Sequence, residues 1–169
     1  MITDTSLTIY EAIATVENTV AVLAEVNTIT EKTGSTIVLF DAEKVAGEEH
    51  IRSAVRHACR SFASGKPVTR TLAMEILLYA SGQRQCSLAP RFGLHAGENV
   101  LFVVILGGDP GQARNMLDAV VTREEHGVAA SRAVLMEEFS ITEEESGVVG
   151  EDRICELVIE RVALMDAYK

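Results

Sequence analysis

The residues of this chain that could do chemistry are poorly grouped for catalysis. The run GGDPGQ, at 107–112, follows a strand-like segment and opens a helix-like one, the setting of a phosphate loop. It has neither the Lys-Ser/Thr pair of such a loop nor the glycine spacing of a dinucleotide fingerprint, and it reads as a turn plus a helix cap. His50, His57, His95 and His126 share no ligand spacing with one another or with cysteine, so no metal site is expected. No serine sits in a nucleophile elbow, and no local Cys/His pair suggests a thiolate nucleophile. The glutamates of ITEEE suit the first turn of a helix better than acid–base work. No catalytic residue and no cofactor are expected, and nothing argues for an enzyme acting alone.

Cations are grouped more tellingly. The chain has 15 Lys and Arg against 25 Asp and Glu, a net charge of −10. Between Ile51 and His95 stand seven Lys or Arg and a single acid, Glu75, a local net of +6 that leaves −16 for the remainder. Arg52, Arg56 and Arg60 recur every four residues and so line up along one helical face. Like charges at that spacing repel by ~0.2–0.5 kcal/mol per pair, which an anion lying across the row would offset. A solvated basic face explains the row about as well. The stretch LAMEILLYASGQRQ, Leu72 to Gln85, is apolar almost all round before it ends, so it is expected to be buried on most sides. Ser81, Gly82, Gln83, Arg84 and Gln85 then emerge from a rigid element. Gln and Arg bond base edges or phosphates, and Gly permits close backbone approach. A glycine C-cap with a cation near the helix dipole accounts for the same residues equally well.

The elements that must position these groups follow from periodicity. SLTIYEAIATV reads as a strand. Asn18 or Thr19 caps a helix carrying Val20, Leu23, Val26 and Ile29, closed by Gly34. TIVLF is a short buried strand. A helix opens after Gly47 with Glu48 and Glu49, carries the stripe Ile51, Ala54, Val55, Ala58 and Phe62, and ends before Gly65 and Pro67. TRTLAMEILLYAS is the next helix, and VLFVVIL is a strand covered on both faces. Asp109-Pro110 starts a helix to about Glu125. SRAVLMEEF is read as helical, and Thr142 with Glu145 forms a capping-box pattern that Gly147 interrupts. A last helix runs from about Asp152 to Ala167. Apolar residues cover roughly two-thirds of its circumference, where a one-sided helix needs a stripe of a little over ~100°. Either the helix is sandwiched within its own domain or one face belongs to a partner, and at this place in the chain the partner is favoured.

The fold class expected is α/β of the α+β type: a two-layer sandwich with a small mixed or antiparallel sheet and several flanking helices. Residues 1–169 are read as a single domain, long enough to bury roughly 70% of its unfolded surface. The N-terminus lacks the features of a secretory signal, and no apolar run approaches the ~18 residues of a membrane helix. Cys59, Cys86 and Cys155 read as reduced core thiols, and a cytoplasmic location with no membrane partner is expected.

The segment LFDAEKVAGEEHIRSAVRHACRSFASGKPVTRTLAMEILLYASGQRQ resembles the small kinase-binding subunit of the KEOPS complex (the TPRKB-like family) in its archaeal form. "VAG-EH", "AV-HA" and above all "MEILLYASG-RQ" carry the likeness. FGLHAGEN, ITEEE and LVIERVAL extend it over most of the chain from Ile37 onward. After Gln85 the pattern departs, with CSLAPRFGL and a Pro90 expected to shorten the element there.

The resemblance implies a non-catalytic subunit of the machinery that makes threonylcarbamoyladenosine in tRNAs reading codons that begin with A. Such a subunit binds a small atypical kinase/ATPase, which in turn touches the threonylcarbamoyl-transferring subunit. It also helps recruit tRNA by holding its single-stranded CCA end. Combined with the charge pattern, the resemblance points to Arg56, Arg60, Arg70, Ser81, Gly82, Arg84 and Gln85 for tRNA, with Tyr79 a weaker stacking candidate. Leu157, Ile159, Val162, Leu164 and Met165 are the expected kinase interface. The alternative is a regulatory adaptor of the kinase that makes no direct tRNA contact.

Overall fold

The computed structural model describes residues 7–83 and 86–168. They form an α+β protein whose four-stranded sheet is antiparallel throughout, in the order β2-β3-β1-β4. The chain divides into two compact units, each built from two separate segments: Met1–Asp41 with Gly93–Val128, and Ala42–Phe92 with Ala129–Lys169.

The first unit holds the sheet. β1 (Leu7–Val16) pairs along its whole length with β3 (Gly97–Leu106), Leu7 opposite Leu106 and Val16 opposite Gly97. β2 (Thr36–Asp41) lies on the other side of β3, with Thr36 opposite Leu106. Leu101 to Leu106 are all buried, which is why this run is continuously apolar rather than alternating. One face of the sheet packs Ile37, Leu39, Leu101, Val103 and Ile105 against α1 (Thr19–Thr33) and α4 (Pro110–Leu117), with Val26, Ile29, Ala113 and Leu117 filling the layer between. Asn18 caps α1, accepting from the Ala21 N–H at 3.1 Å, and Asp109 caps α4, accepting from Gln112 at 3.1 Å.

Two expectations change here, and a third gains a reason. The inward stripe of α1 runs through Val22, Val26, Ile29 and Thr33, which leaves Val20 and Leu23 exposed. α4 stops at Leu117 rather than near Glu125, because the chain turns back and pairs β4 (Thr122–Arg123) with Ala12 and Ile13. GGDPGQ is a joint of the fold: the Asp109 N–H donates to Thr33 O at 2.9 Å, and the Ser35 hydroxyl donates to Gly107 O at 2.8 Å. A Cβ on Gly108 would sit 2.4 Å from the backbone of Gly34 and Ser35, so the glycine answers a close backbone crossing.

The second unit is helical. It comprises α2 (Glu48–Ala63), α3 (Leu72–Ser81), a 3₁₀ turn (Cys86–Phe92), α5 (Arg132–Glu138), α6 (Glu143–Val149), α7 (Ile154–Leu164) and a closing 3₁₀ turn (Met165–Tyr168). The 3₁₀ turn contains Pro90, where the proline was expected to shorten the element. α6 passes through Gly147 instead of breaking there, held by the Thr142 cap on the Glu145 N–H at 3.1 Å. Cys86 and Cys155 are exposed and Cys59 is partly so, contrary to a core role for the thiols: Cys155 stands on the outward side of α7 and Cys86 opens the 3₁₀ turn.

Candidate functional site

α2 and α3 pack together and present the basic segment. The inward stripe of α2 buries Ile51, Ala54, Val55 and Ala58, with Phe62 half-buried. Arg52, Arg56 and Arg60 stand away from it, and the structure treats the three differently. Arg52 bonds Glu48 one turn back, Nη2 to Oε1 at 3.1 Å. Arg60 lies 4.0 Å from Asp166. Arg56 is exposed and makes no ion pair among the described residues, and the same is true of Lys66 and Arg70 in the α2–α3 loop.

The segment that is nearly free of acids along the chain is therefore not free of them in space. Asp166, from the closing 3₁₀ turn, accepts from the Tyr79 hydroxyl and from His57 Nδ1–H at 2.7 Å, while the His57 and Tyr79 rings stack 5.6 Å apart. Tyr79 is fully buried, so it is a core ring and not an exposed stacking platform. Burial first, and then the bond to Asp166, push its phenol well above the ordinary range. Glu138 does the same work elsewhere. Its Oε1 takes both Lys44 Nζ at 2.8 Å and Arg91 Nη2 at 2.9 Å, with the carboxylate side chain only 8% exposed.

Glu75, the segment's own acid, is turned inward. It is buried on α3 and receives the Val68 N–H at 3.1 Å, the Thr69 N–H at 2.8 Å, the Thr69 hydroxyl at 2.6 Å and the Ser61 hydroxyl at 3.0 Å. Burial alone would raise its pKa, but the bonds from Thr69, Val68 and Ser61 outweigh it and hold the carboxyl below the usual carboxylate range.

The end of α3 is rigid. Ser81 is buried, its hydroxyl donating to Leu78 O at 2.6 Å and accepting from the Gln83 N–H at 3.2 Å, so the side chain is committed to the turn. Gly82 closes the helix at φ 62°, and a Cβ there would meet the Phe139 ring at 3.2 Å. Behind this corner, His50 accepts the Ala46 N–H on Nδ1 at 3.0 Å, so the proton sits on Nε2 and is donated to Ala80 O at 2.8 Å. Arg84 and Gln85, the remaining corner residues expected to bind tRNA, lie outside the described residues.

The expected kinase interface divides. Leu157, Val162 and Met165 are buried within the chain, Ile159 is half-buried, and Leu164 is 37% exposed. α7 packs against α2, α3, α5 and α6, which accounts for most of its apolar excess without a partner. Only Leu164 of the five stands as an exposed apolar residue.

The sequence had shown Glu75 as a lone acid in an apolar helix, but not that it anchors a loop. Nothing in the local sequence pointed to Asp166 or Glu138.

The geometry is that of a surface of outward cations on a rigid helical frame, with buried polar groups committed to shaping that frame. The model of the family described as kinase binding protein CGI-121 matches residues 13–166. The chain belongs to that family. Comparison with curated proteins gives no match. Among the described residues, no helix is long and apolar enough to cross a membrane.

Proposed function

We propose that the chain is a non-catalytic subunit of the KEOPS threonylcarbamoyladenosine machinery, binding the small kinase/ATPase of that complex and recruiting tRNA through its CCA end. Membership of a kinase-binding family supports the first half. One observation carries the second: Arg56, Lys66 and Arg70 point outward without ion pairs among the described residues, on a protein of net charge −10. An acidic protein gains nothing in solubility from such a group, whereas a phosphate strand gains counterion release from each cation it meets. Arg84 and Gln85 extend the site by sequence, and Arg60 joins it where an incoming phosphate displaces the long contact to Asp166. Ser81 and Gly82 act by shaping the corner. Their hydroxyl and backbone are already engaged.

A specific observation favours the adaptor reading without tRNA contact: Arg52, Arg60 and Arg91 each have an internal carboxylate partner in Glu48, Asp166 or Glu138. Binding of tRNA by charge-reversed variants separates the two readings. Arg56→Glu and Arg70→Glu are each expected to weaken binding about tenfold and to lower the log–log salt slope by roughly 0.7. Arg123→Glu and Arg153→Glu, whose parents already pair with Asp118 and Glu156, serve as controls. Equal losses in controls and test variants favour the adaptor.

A further inference from the structure

The α2–α3 loop is short, exposed and unusually constrained. Gly65 turns the chain at φ 72°, the Lys66 N–H donates to Ser61 O at 3.1 Å, and Pro67 fixes the next backbone angle. The following two N–H groups, of Val68 and Thr69, are both held by the buried Glu75 carboxylate. Such a loop has little freedom left to lose on binding, which is what a preorganised contact requires. Thr69 is half-buried, while Lys66, Val68 and Arg70 are exposed, Val68 to 46%.

A solitary exposed valine is ordinary on a protein surface. Here it stands between two cations that have no ion pair among the described residues, on a loop fixed from below by the one acid of the basic segment. That alternation of cation, apolar side chain and cation matches the alternation of phosphate and base or ribose along an unpaired strand. We propose that the loop Lys66–Arg70 is a fixed contact for unpaired nucleotides, Val68 lying under a base or ribose and Lys66 and Arg70 on flanking phosphates. The proposal rests on the reading that this surface binds tRNA. It adds Lys66 and Val68 as contacts and Glu75 as the residue that positions them.

Both new contacts are exposed, so their variants leave folding intact, which thermal unfolding verifies. The test uses the full chain with intact tRNA and with a short single-stranded RNA ending in CCA, over a range of salt. Val68→Ser is expected to weaken binding about fivefold with an unchanged salt slope, because it removes apolar contact and no charge. Lys66→Glu should weaken binding and lower the slope by roughly 0.7. If wild type requires the CCA end and Arg56→Glu weakens binding, yet Val68→Ser and Lys66→Glu bind as wild type, the loop proposal fails while the tRNA reading stands. If Arg56→Glu is neutral and CCA removal has no effect, both fall. Loss of kinase binding in Val68→Ser with tRNA binding intact makes the loop a protein contact and overturns the proposal.

Discussion

Glu75→Ala is expected to destabilise the chain by roughly 3–4 kcal/mol, a large fraction of the ~5–15 kcal/mol that holds a domain together. The variant strips the acceptor from two backbone N–H groups and two hydroxyls around a fully buried carboxylate, and leaves a cavity where the side chain was. Buried donors that lose a charged acceptor lose more than neutral ones would. The unfolding midpoint should fall by about 10 °C for a chain of this length. Glu75→Gln should fall between the two, since its amide keeps one oxygen and turns an N–H₂ toward groups that themselves donate. The pH signature follows from the direction of the shift. A carboxyl held below its unfolded value contributes its stability above the usual carboxylate pKa, and loses it as pH falls through the lower folded value. An alanine variant melting within ~2 °C of wild type at pH 7 would mean that the carboxylate does not anchor the loop.

His50 gives the second large effect, in a different pH window. Its ring is buried, and desolvation, only partly opposed by the bond to Ala80, pushes its pKa from 6.5 down to about 4. The folded state therefore keeps the ring neutral where the unfolded chain protonates it. Stability is fully present above pH 6.5 and drains as pH falls toward 4. The slope is about 1.4 kcal/mol per pH unit and the total is about 3 kcal/mol. Protonation would place a donor on Nδ1 facing the Ala46 N–H, so the charged ring loses a bond as well as its solvent. Urea unfolding of wild type and His50→Gln at pH 7, 6, 5 and 4.5 measures this. Glutamine offers one acceptor and one donor but cannot take up the proton, so its profile should be flatter by that slope. Parallel profiles would contradict the account.

Much of this architecture is local and could be read along the chain. β3 is a continuous apolar run because both its faces are buried, and Asn18, Asp109 and Gly34 cap the helices that their residue types announce. The row of arginines on α2 follows from a four-residue repeat. What could not be read is long-range. Asp166 reaches His57 across 109 residues, and Glu138 reaches Arg91 across 47, so these pairings depend on the tertiary fold. The last helix misled for the same reason. Its apolar excess signals burial on more than one side, and only the packed structure shows that α2, α3, α5 and α6 supply those sides for Leu157 and Val162. Helix α4 ends at Leu117, short of the expected Glu125, because Val121 fills the core just before β4 and its partner strand lies far off in sequence.

The central claim is that one small protein holds a kinase and the CCA end of a tRNA at once, and the most direct measurement immobilises the small atypical kinase and asks whether it captures tRNA. The account predicts no capture by the kinase surface alone under moderate salt and clear capture once this chain is added. Capture should be lost when the tRNA lacks its CCA end, and lost again with Leu164→Glu, which sets a charge on an exposed large apolar residue of α7. Capture that is indifferent to this chain, or to the CCA end, would contradict it.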